Sequence, residues 1–590
     1  MDFFSVLTMI GGLALFLFGM HAMGEGLSKV SGGRLEQILE KLTSNPIKAV
    51  ALGAAVTAVI QSSSATTVMV VGFVNSGIMK LSQAIGIIMG ANIGTTITSW
   101  ILSLSGIESS NFFIQLLKPS SFAPVLAIIG VACVMFSKKE KKKDVGMILV
   151  GFAILMTGMD TMSGAVKPLA DVPAFTNLFV MFSNPILGII VGAVLTAIIQ
   201  SSSASVGILQ ALCVTGSVTY ASALPIIMGQ NIGTCITAML SSIGTSKNAR
   251  RAALVHLYFN VIGTTVFMII FYSLNAVFRF SVLNDVAGPA GIAVIHTLFN
   301  VVATCVLLPF TRVLEKLAYL TIKEDEAEIK DETAQGEFQV LDSRFLDSPA
   351  FALERCKQVT YKMAELSKEA LFKSIELLEE YDEEKAKQVV ELENRIDRYE
   401  DEIGGYLVKL SSKNLLEKDS HVLSMLLHLI GDFERISDHA VNIMDAGKEM
   451  HEKGLVFSQQ AKTELAVFSR AVRDIINISI QVFEDEDKQL AVTVEPLEEV
   501  IDHLNEKLKK RHVQRLRDGI CTIELGFILS DITTNYERVA DHCSNMALCV
   551  LQLDNEENFD AHEYIDQLKR EDNKEFREKY QSYKLQYKLP

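Results

Sequence analysis

The chain has 590 residues, of which 49% are apolar, yet its formal net charge is −15. That length exceeds one ordinary core, and the apolar and acidic residues must lie apart, which excludes a single small soluble domain and a basic nucleic-acid binder. Up to residue 320 there are 18 Lys and Arg against 11 Asp and Glu, and beyond it 36 against 58. A basic, apolar half followed by an acidic half reads as membrane and then cytosol.

In chain order, apolar segments long enough to cross a bilayer fall near 3–23, 80–104, 119–137, 145–166, 220–243, 251–274 and 290–312. The N-terminal Met1-Asp2-Phe3-Phe4 lacks the basic flank of a cleaved leader, so the first segment is expected to remain as a membrane helix. Two further apolar stretches, 46–76 and 185–215, are each broken in the middle by a polar cluster. Two half-helices suit them better than one span.

The chain repeats itself. Ser44-Asn45-Pro46-Ile47 recurs as Ser183-Asn184-Pro185-Ile186, and Gln61-Ser62-Ser63-Ser64-Ala65 as Gln200-Ser201-Ser202-Ser203-Ala204. Gly90-Ala91-Asn92-Ile93-Gly94-Thr95 recurs as Gly229-Gln230-Asn231-Ile232-Gly233-Thr234. Every match is offset by 139 residues without a gap. If each interrupted stretch is a re-entrant hairpin, three full spans separate the start of one repeat from the next. An odd number inverts the second copy. Under that topology Lys29, Arg34, Lys41, the run 138–143, Lys247, Arg250 and Arg251 share one side with the exit to the acidic half. The positive-inside rule makes that side cytoplasmic and puts the N-terminus outside. The expected domains are 1–137, 138–321, a charged linker at 322–348, a helical domain at 349–553 and a charged tail at 554–590 with little to bury.

Irregular backbone at membrane depth survives only where it lines a buried or watery cavity. A half-helix that starts at a QSSS break aims unpaired amides at the centre, which favours an anion. One that ends there offers carbonyls, which with hydroxyls suit a hard cation. No Lys or Arg lies within ten residues of either cluster. An anion held by dipoles alone is poorly balanced, so a companion cation is expected.

The paired QSSS stretches with downstream G-x-N-I-G-T resemble the type II sodium/phosphate cotransporter family over about residues 5–315. The resemblance implies that Gln61, Ser62, Ser63, Ser64, Thr66, Gln200, Ser201, Ser202, Ser203 and Ser205 hold phosphate and sodium, joined by Asn92, Thr95, Asn231 and Thr234 from the second motif. His256-Leu257-Tyr258-Phe259-Asn260, echoed at His296–Asn300, resembles the family's H-x-x-F-N element. Ser205-Val206 stands where the first copy has Thr66-Thr67.

Beyond the linker, apolar residues at three- and four-residue spacing predict six helices, at 349–382, 385–412, 418–452, 459–485, 488–517 and 520–553. Glu434 and Asp438 are echoed 103 residues on by Glu537 and Asp541, and Glu393 and Asp397 are echoed 105 residues on by Glu498 and Asp502. Glu and Asp four apart share a helix face, so two such pairs on neighbouring helices gather four carboxylates. That set suits a divalent or iron-type metal, or else a solvated network with Arg435 and Arg538. This half resembles PhoU, a pair of similar three-helix bundles linked to phosphate signalling, which implies cytosolic signalling partners and a sensing or gating role. The eight cysteines form no CxxC pair, and no P-loop or nucleophile motif is present, so no catalysis is expected.

The expected fold is all-α: inverted membrane repeats with two re-entrant helical hairpins, then a pair of three-helix bundles. The expected function is sodium-coupled symport of inorganic phosphate across the cell membrane by alternating access. A phosphate exporter gated by the acidic half and a membrane-anchored phosphate or metal sensor are the alternatives.

Overall fold

The computed structural model describes residues 3–31, 45–106, 119–323, 337–413, 415–553, 568 and 573–590. It divides into two compact units, one ending at Phe351 and one beginning at Ala352. Helices dominate both, and among the described residues the one β-bridge joins Thr219 to Val286.

In the first unit the repeated motifs act as start and stop codes. Helix α1 is Phe3–Ser31, α2 Pro46–Ile60, α3 Ser63–Asn75 and α4 Leu81–Ser103. After α5 (Pro119–Phe136), the second copy runs as α6 (Glu140–Val166), α7 (Pro173–Phe182), α8 (Pro185–Ile199), α9 (Ser202–Leu212) and α10 (Tyr220–Ser241). Asn45 and Asn184 cap α2 and α8 by accepting from Ile47 N at 2.9 Å and Ile186 N at 3.1 Å, with proline next in line. Gln61 and Gln200 stop these helices in the left-handed region, at φ 59° and 57°. Ser62 and Ser201 then start α3 and α9 by accepting from Ala65 N and Ala204 N, at 3.1 and 3.2 Å.

Glycines fix how these helices meet. A Cβ on Gly86 would strike Ala49, and one on Gly90 or Gly94 would strike the backbone of Val50 or Ala54, so α2 and α4 run side by side in parallel. The start of α4 therefore lies near the start of α2, and α3 must retrace the whole length of α2 to reach it. Residues 46–75 are a helical hairpin. Gly188, Gly192, Gly229 and Gly233 repeat this contact between α8 and α10.

Helices α1 and α6 show how the copies relate. Gly12 packs on Gly158 and Met162, and Gly19 on Gly151 and Leu155. Gly151 and Gly158 are the repeat mates of Gly12 and Gly19, so each glycine meets the partner of the other. Antiparallel helices with exchanged contacts define a pseudo-twofold axis, and the two copies are inverted.

Among the described residues six helices are long and apolar enough to cross a membrane: Phe3–Val30, Leu81–Gly106, Glu140–Asp171, Tyr220–Ser241, Lys247–Phe278 and Pro289–Thr321. The expected span at 119–137 is the shorter helix α5. Helix α7, ten residues joined to α8 at a 105° bend, was not among the expected elements. Its counterpart in the first copy, 34–43, lies outside the described residues. After the repeats come α11 (Lys247–Phe278), α12 (Pro289–Leu307) and α13 (Thr311–Thr321).

The end of the expected linker is packed rather than free. Phe345 and Phe351 are buried against Phe73, with ring centroids 5.4 and 5.3 Å away. Asn75, closing α3, donates to Asp342 at 2.7 Å and accepts from Ser246 N at 2.8 Å. Asp342 pairs with Arg344 at 2.7 Å, and Arg344 Nε donates to Ser241 O at 3.2 Å.

The second unit, from Ala352, holds all but the first three residues of α14 (Pro349–Leu377), then α15 (Glu383–Ser411), α16 (Glu417–Lys453), α17 (Gln459–Asp485), α18 (Val494–Arg517) and α19 (Ile523–Gln552). The predicted helix at 488–517 is split: Lys488–Ala491 forms one turn and α18 begins afresh, because the ring of Pro496 would clash with the carbonyl four residues back. Buried Glu464 takes Arg511 at 2.6 Å and Arg515 at 2.7 Å. The expectation that the tail has little to bury fails at its end. Lys574–Gln586 is helical, and the 2% exposed Tyr587 donates to Asp474 at 2.5 Å.

Candidate ion site and carboxylate clusters

At each hairpin tip the arms are tied by hydroxyls. Thr57 Oγ1 donates to Thr66 Oγ1 at 3.1 Å, and its mate Thr196 to Ser205 Oγ at 2.9 Å. Ser63, Ser202 and Ser203 are buried in the first turns of α3 and α9, where amides lack helical partners. Ser62 and Ser201 are capping residues as well as candidate ligands. Thr95 and Thr234 turn their hydroxyls onto Ala91 O and Gln230 O, at 3.0 and 2.9 Å.

The second motif meets the helices that follow the repeats. Asn92 donates to Asn260 Oδ1 at 2.8 Å, and Asn231 to Asn300 Oδ1 at 2.7 Å. His296 lies 2.6 Å from Ser99 Oγ and 3.3 Å from Asn231 Oδ1. His256 and His296 are both fully enclosed.

Hydrogen bonds from two side chains also cross between the copies. Thr237 on α10 donates to Ser64 of the first hairpin at 3.3 Å. Gln210 on α9 donates to Ser99 O on α4 at 3.0 Å and to Pro289 O at 2.9 Å. Each hairpin's second arm thus lies against the opposite repeat. The glutamines differ. Gln61 is buried, accepts from Thr98 at 2.9 Å and donates to Ala58 O, whereas Gln200 is exposed. Buried Arg251 binds Ile322 O at 2.8 Å and lies 4.0 Å over the Tyr319 ring. Thr57, Thr98, Thr196 and Thr237 escaped the sequence reading, although 139-residue repetition of threonine within apolar helices marks them.

In the second unit, ligand atoms of Glu498, Asp502 and Asp541 all lie within 4.8 Å of one another. Glu537 accepts from Asn505. In the other copy, burial and the charges of Asp397 and Asp438 raise the Glu393 carboxyl. Burial and the charges of Asp438 and Asp401 raise Asp397. Burial outweighs Arg435 at Glu434, which is raised as well. The carboxylates of that copy therefore repel one another, whereas among the described residues the ligand atoms are gathered closely enough for one cation at Glu498, Asp502 and Asp541. The arginines are weaker partners: exposed Arg538 reaches Asp541 at 3.3 Å, and Arg435 lies 3.8 Å from Glu434.

An inverted duplication of membrane helices, with a helix broken at a polar cluster in each copy and the arm after each break lying against the opposite repeat, defines a secondary-transporter type of membrane protein. The chain belongs to the Na+/Pi-cotransporter family, whose model matches residues 15–164 and 154–285, and it carries a PhoU domain matched at 360–446 and 465–550. It is similar to "Putative inorganic phosphate export protein YjbB" of Escherichia coli (strain K12), 24% identical over 94% of this chain and 98% of that one. "Uncharacterized protein YqeW" of Bacillus subtilis (strain 168) is 30% identical over 54% of this chain and 99% of that one. "Sodium-dependent phosphate transport protein 2B" of Homo sapiens is 36% identical over 21% of this chain and 19% of that one.

Proposed function

We propose that this protein moves inorganic phosphate together with sodium by alternating access, and that its C-terminal unit governs the flux from the cytosol. The carrying observation is the pair of helix breaks in inverted copies, supplied with helix termini, serines and threonines, with no Lys or Arg within ten residues along the chain. Amides at the starts of α3 and α9 take phosphate oxygens. Carbonyls ending α2 and α8, with the hydroxyls and carboxamides of Gln61, Ser62–Ser64, Thr66, Asn92, Thr95, Gln200–Ser203, Ser205, Asn231 and Thr234, shell the sodium ions that neutralise it. The hairpins enter the bilayer from opposite faces without crossing it. In this reading the N-terminus is outside and residues from the linker onward are cytosolic. The duplicated carboxylates, Glu498, Asp502 and Asp541 foremost, hold a divalent cation in a sensing unit that cytosolic phosphate-signalling proteins read. Sodium coupling is supported by the family and by the printed name of the human relative.

Export is the second reading, favoured by the name of the Escherichia coli relative, which is matched across nearly its whole length. Radioactive phosphate flux in proteoliposomes, with sodium, potassium or proton gradients imposed in turn and in either direction, separates them. Uptake that follows a sodium gradient is expected. Flux indifferent to sodium refutes the coupling, and flux only out of the cytosolic side replaces import by export.

A further inference from the structure

Gln230 stands in the repeated motif, but its mate in the first copy is Ala91. It is the midpoint of α10, is fully buried, and neither its Oε1 nor its Nε2 has a partner among the described residues. A carboxamide sealed from water with both ends unbonded is costly at any depth of a membrane protein. The cost is explained if a guest completes the bonds.

The helix face says which guest. Gly229 and Gly233 press on α8, while Asn231 and Cys235 face α11 and α12 through Asn300 and His256. Gln230, Thr234 and Thr237 form the stripe between them, at i, i+4 and i+7. Thr237 on that stripe touches Ser64 of the first hairpin. The orphaned carboxamide therefore shares its helix face with that contact, about 10 Å along the helix from it.

We propose that Gln230 is a ligand of the transported ions. Its Oε1 contributes to the shell of a hard monovalent cation such as sodium, and its Nε2 donates to an oxygen of the phosphate anion. This rests on the sodium–phosphate reading above and adds a group that breaks the twofold likeness of the site. The carboxamide has no counterpart at Ala91, so the ions are held off the pseudo-axis, nearer the second copy.

The test uses the full-length protein in detergent, unfolded by heat in sodium chloride or choline chloride with and without inorganic phosphate, together with flux in proteoliposomes. Gln230→Met removes both polar ends at similar length. Without sodium or phosphate it is expected to unfold no earlier than the natural protein, because an orphan has gone. It is expected to lose the rise produced by each ion, with half-saturating concentrations in flux about tenfold higher. Gln230→Glu keeps the acceptor and removes the donor, so sodium dependence persists while phosphate binding falls. Earlier unfolding of Gln230→Met in choline, with ion-dependent rises intact, makes Gln230 a packing residue and overturns the proposal. A natural protein that responds to neither ion overturns the transport reading, and this inference with it.

Discussion

Gln200 ends α8 with φ 57° and ψ 22°, a left-handed conformation that costs a side chain with a Cβ about 1 kcal/mol relative to glycine. Its side chain is exposed, so little packing offsets that cost. Gln200→Gly is therefore expected to raise stability by about 1 kcal/mol, whereas Gln200→Ala, which keeps the strain, stays within about 0.5 kcal/mol of the natural protein. Gln61 carries the same strain at φ 59° but holds Thr98 and Ala58 O. Gln61→Gly relieves the backbone and forfeits roughly 1–2 kcal/mol of hydrogen bonding, leaving no net gain. Phosphate flux should fall in both glycine variants. Heat unfolding of the detergent-purified protein, paired with proteoliposome flux, reads the two effects separately. If Gln200→Gly is no more stable than Gln200→Ala, the strain argument is wrong. If both glycine variants fold normally and keep full flux, the glutamine–triserine breaks are not the ion site.

Gly19→Leu should disrupt the membrane unit by at least about 2 kcal/mol, seen as lost folded yield, because its Cβ would enter the backbone of α6; Gly11→Leu, with nothing within 4 Å, is the control and should fold normally. Glu464→Ala leaves Arg515, 5% exposed, without its carboxylate and should cost about 3–5 kcal/mol in denaturant unfolding of the C-terminal unit, most of it recovered in Glu464→Leu/Arg515→Met; a loss below about 1 kcal/mol contradicts the burial. Burial and neighbouring carboxylates raise Glu393, Asp397 and Glu434, so their protonated forms favour the folded state. Their contribution is present below the ordinary carboxylate range and is lost as pH rises through the raised values. Metal-free protein should thus gain stability on acidification from neutral pH, an added divalent cation should stabilise it more at neutral than at acid pH, and Asp502→Asn with Asp541→Asn should reduce that gain at the second cluster.

The inverted duplication could be read before any coordinates, because a gap-free offset and a charge bias constrain topology without reference to packing. The breaks at the two polar clusters followed, since Asn-Pro starts and Gln-Ser stops are local codes. What escaped was set by tertiary contact. Helix α7 is ten residues long and resembles a connection. Phe345 and Asp342 sit in a charged stretch whose composition gives no hint of Phe73 and Asn75 as partners. Gln230 stands where the first copy has Ala91, and only its enclosure without partners makes it a candidate ligand. Tyr587 was hidden in a tail whose average charge masked one buried ring.

The swapped glycine contacts between α1 and α6 have a consequence for ancestry. A lone copy could reproduce Gly12 on Gly158 and Gly19 on Gly151 only by meeting a twin threaded through the bilayer the other way up. Such a forebear would have had to insert in both orientations, and fusing two copies would have made each orientation permanent, leaving the halves free to diverge.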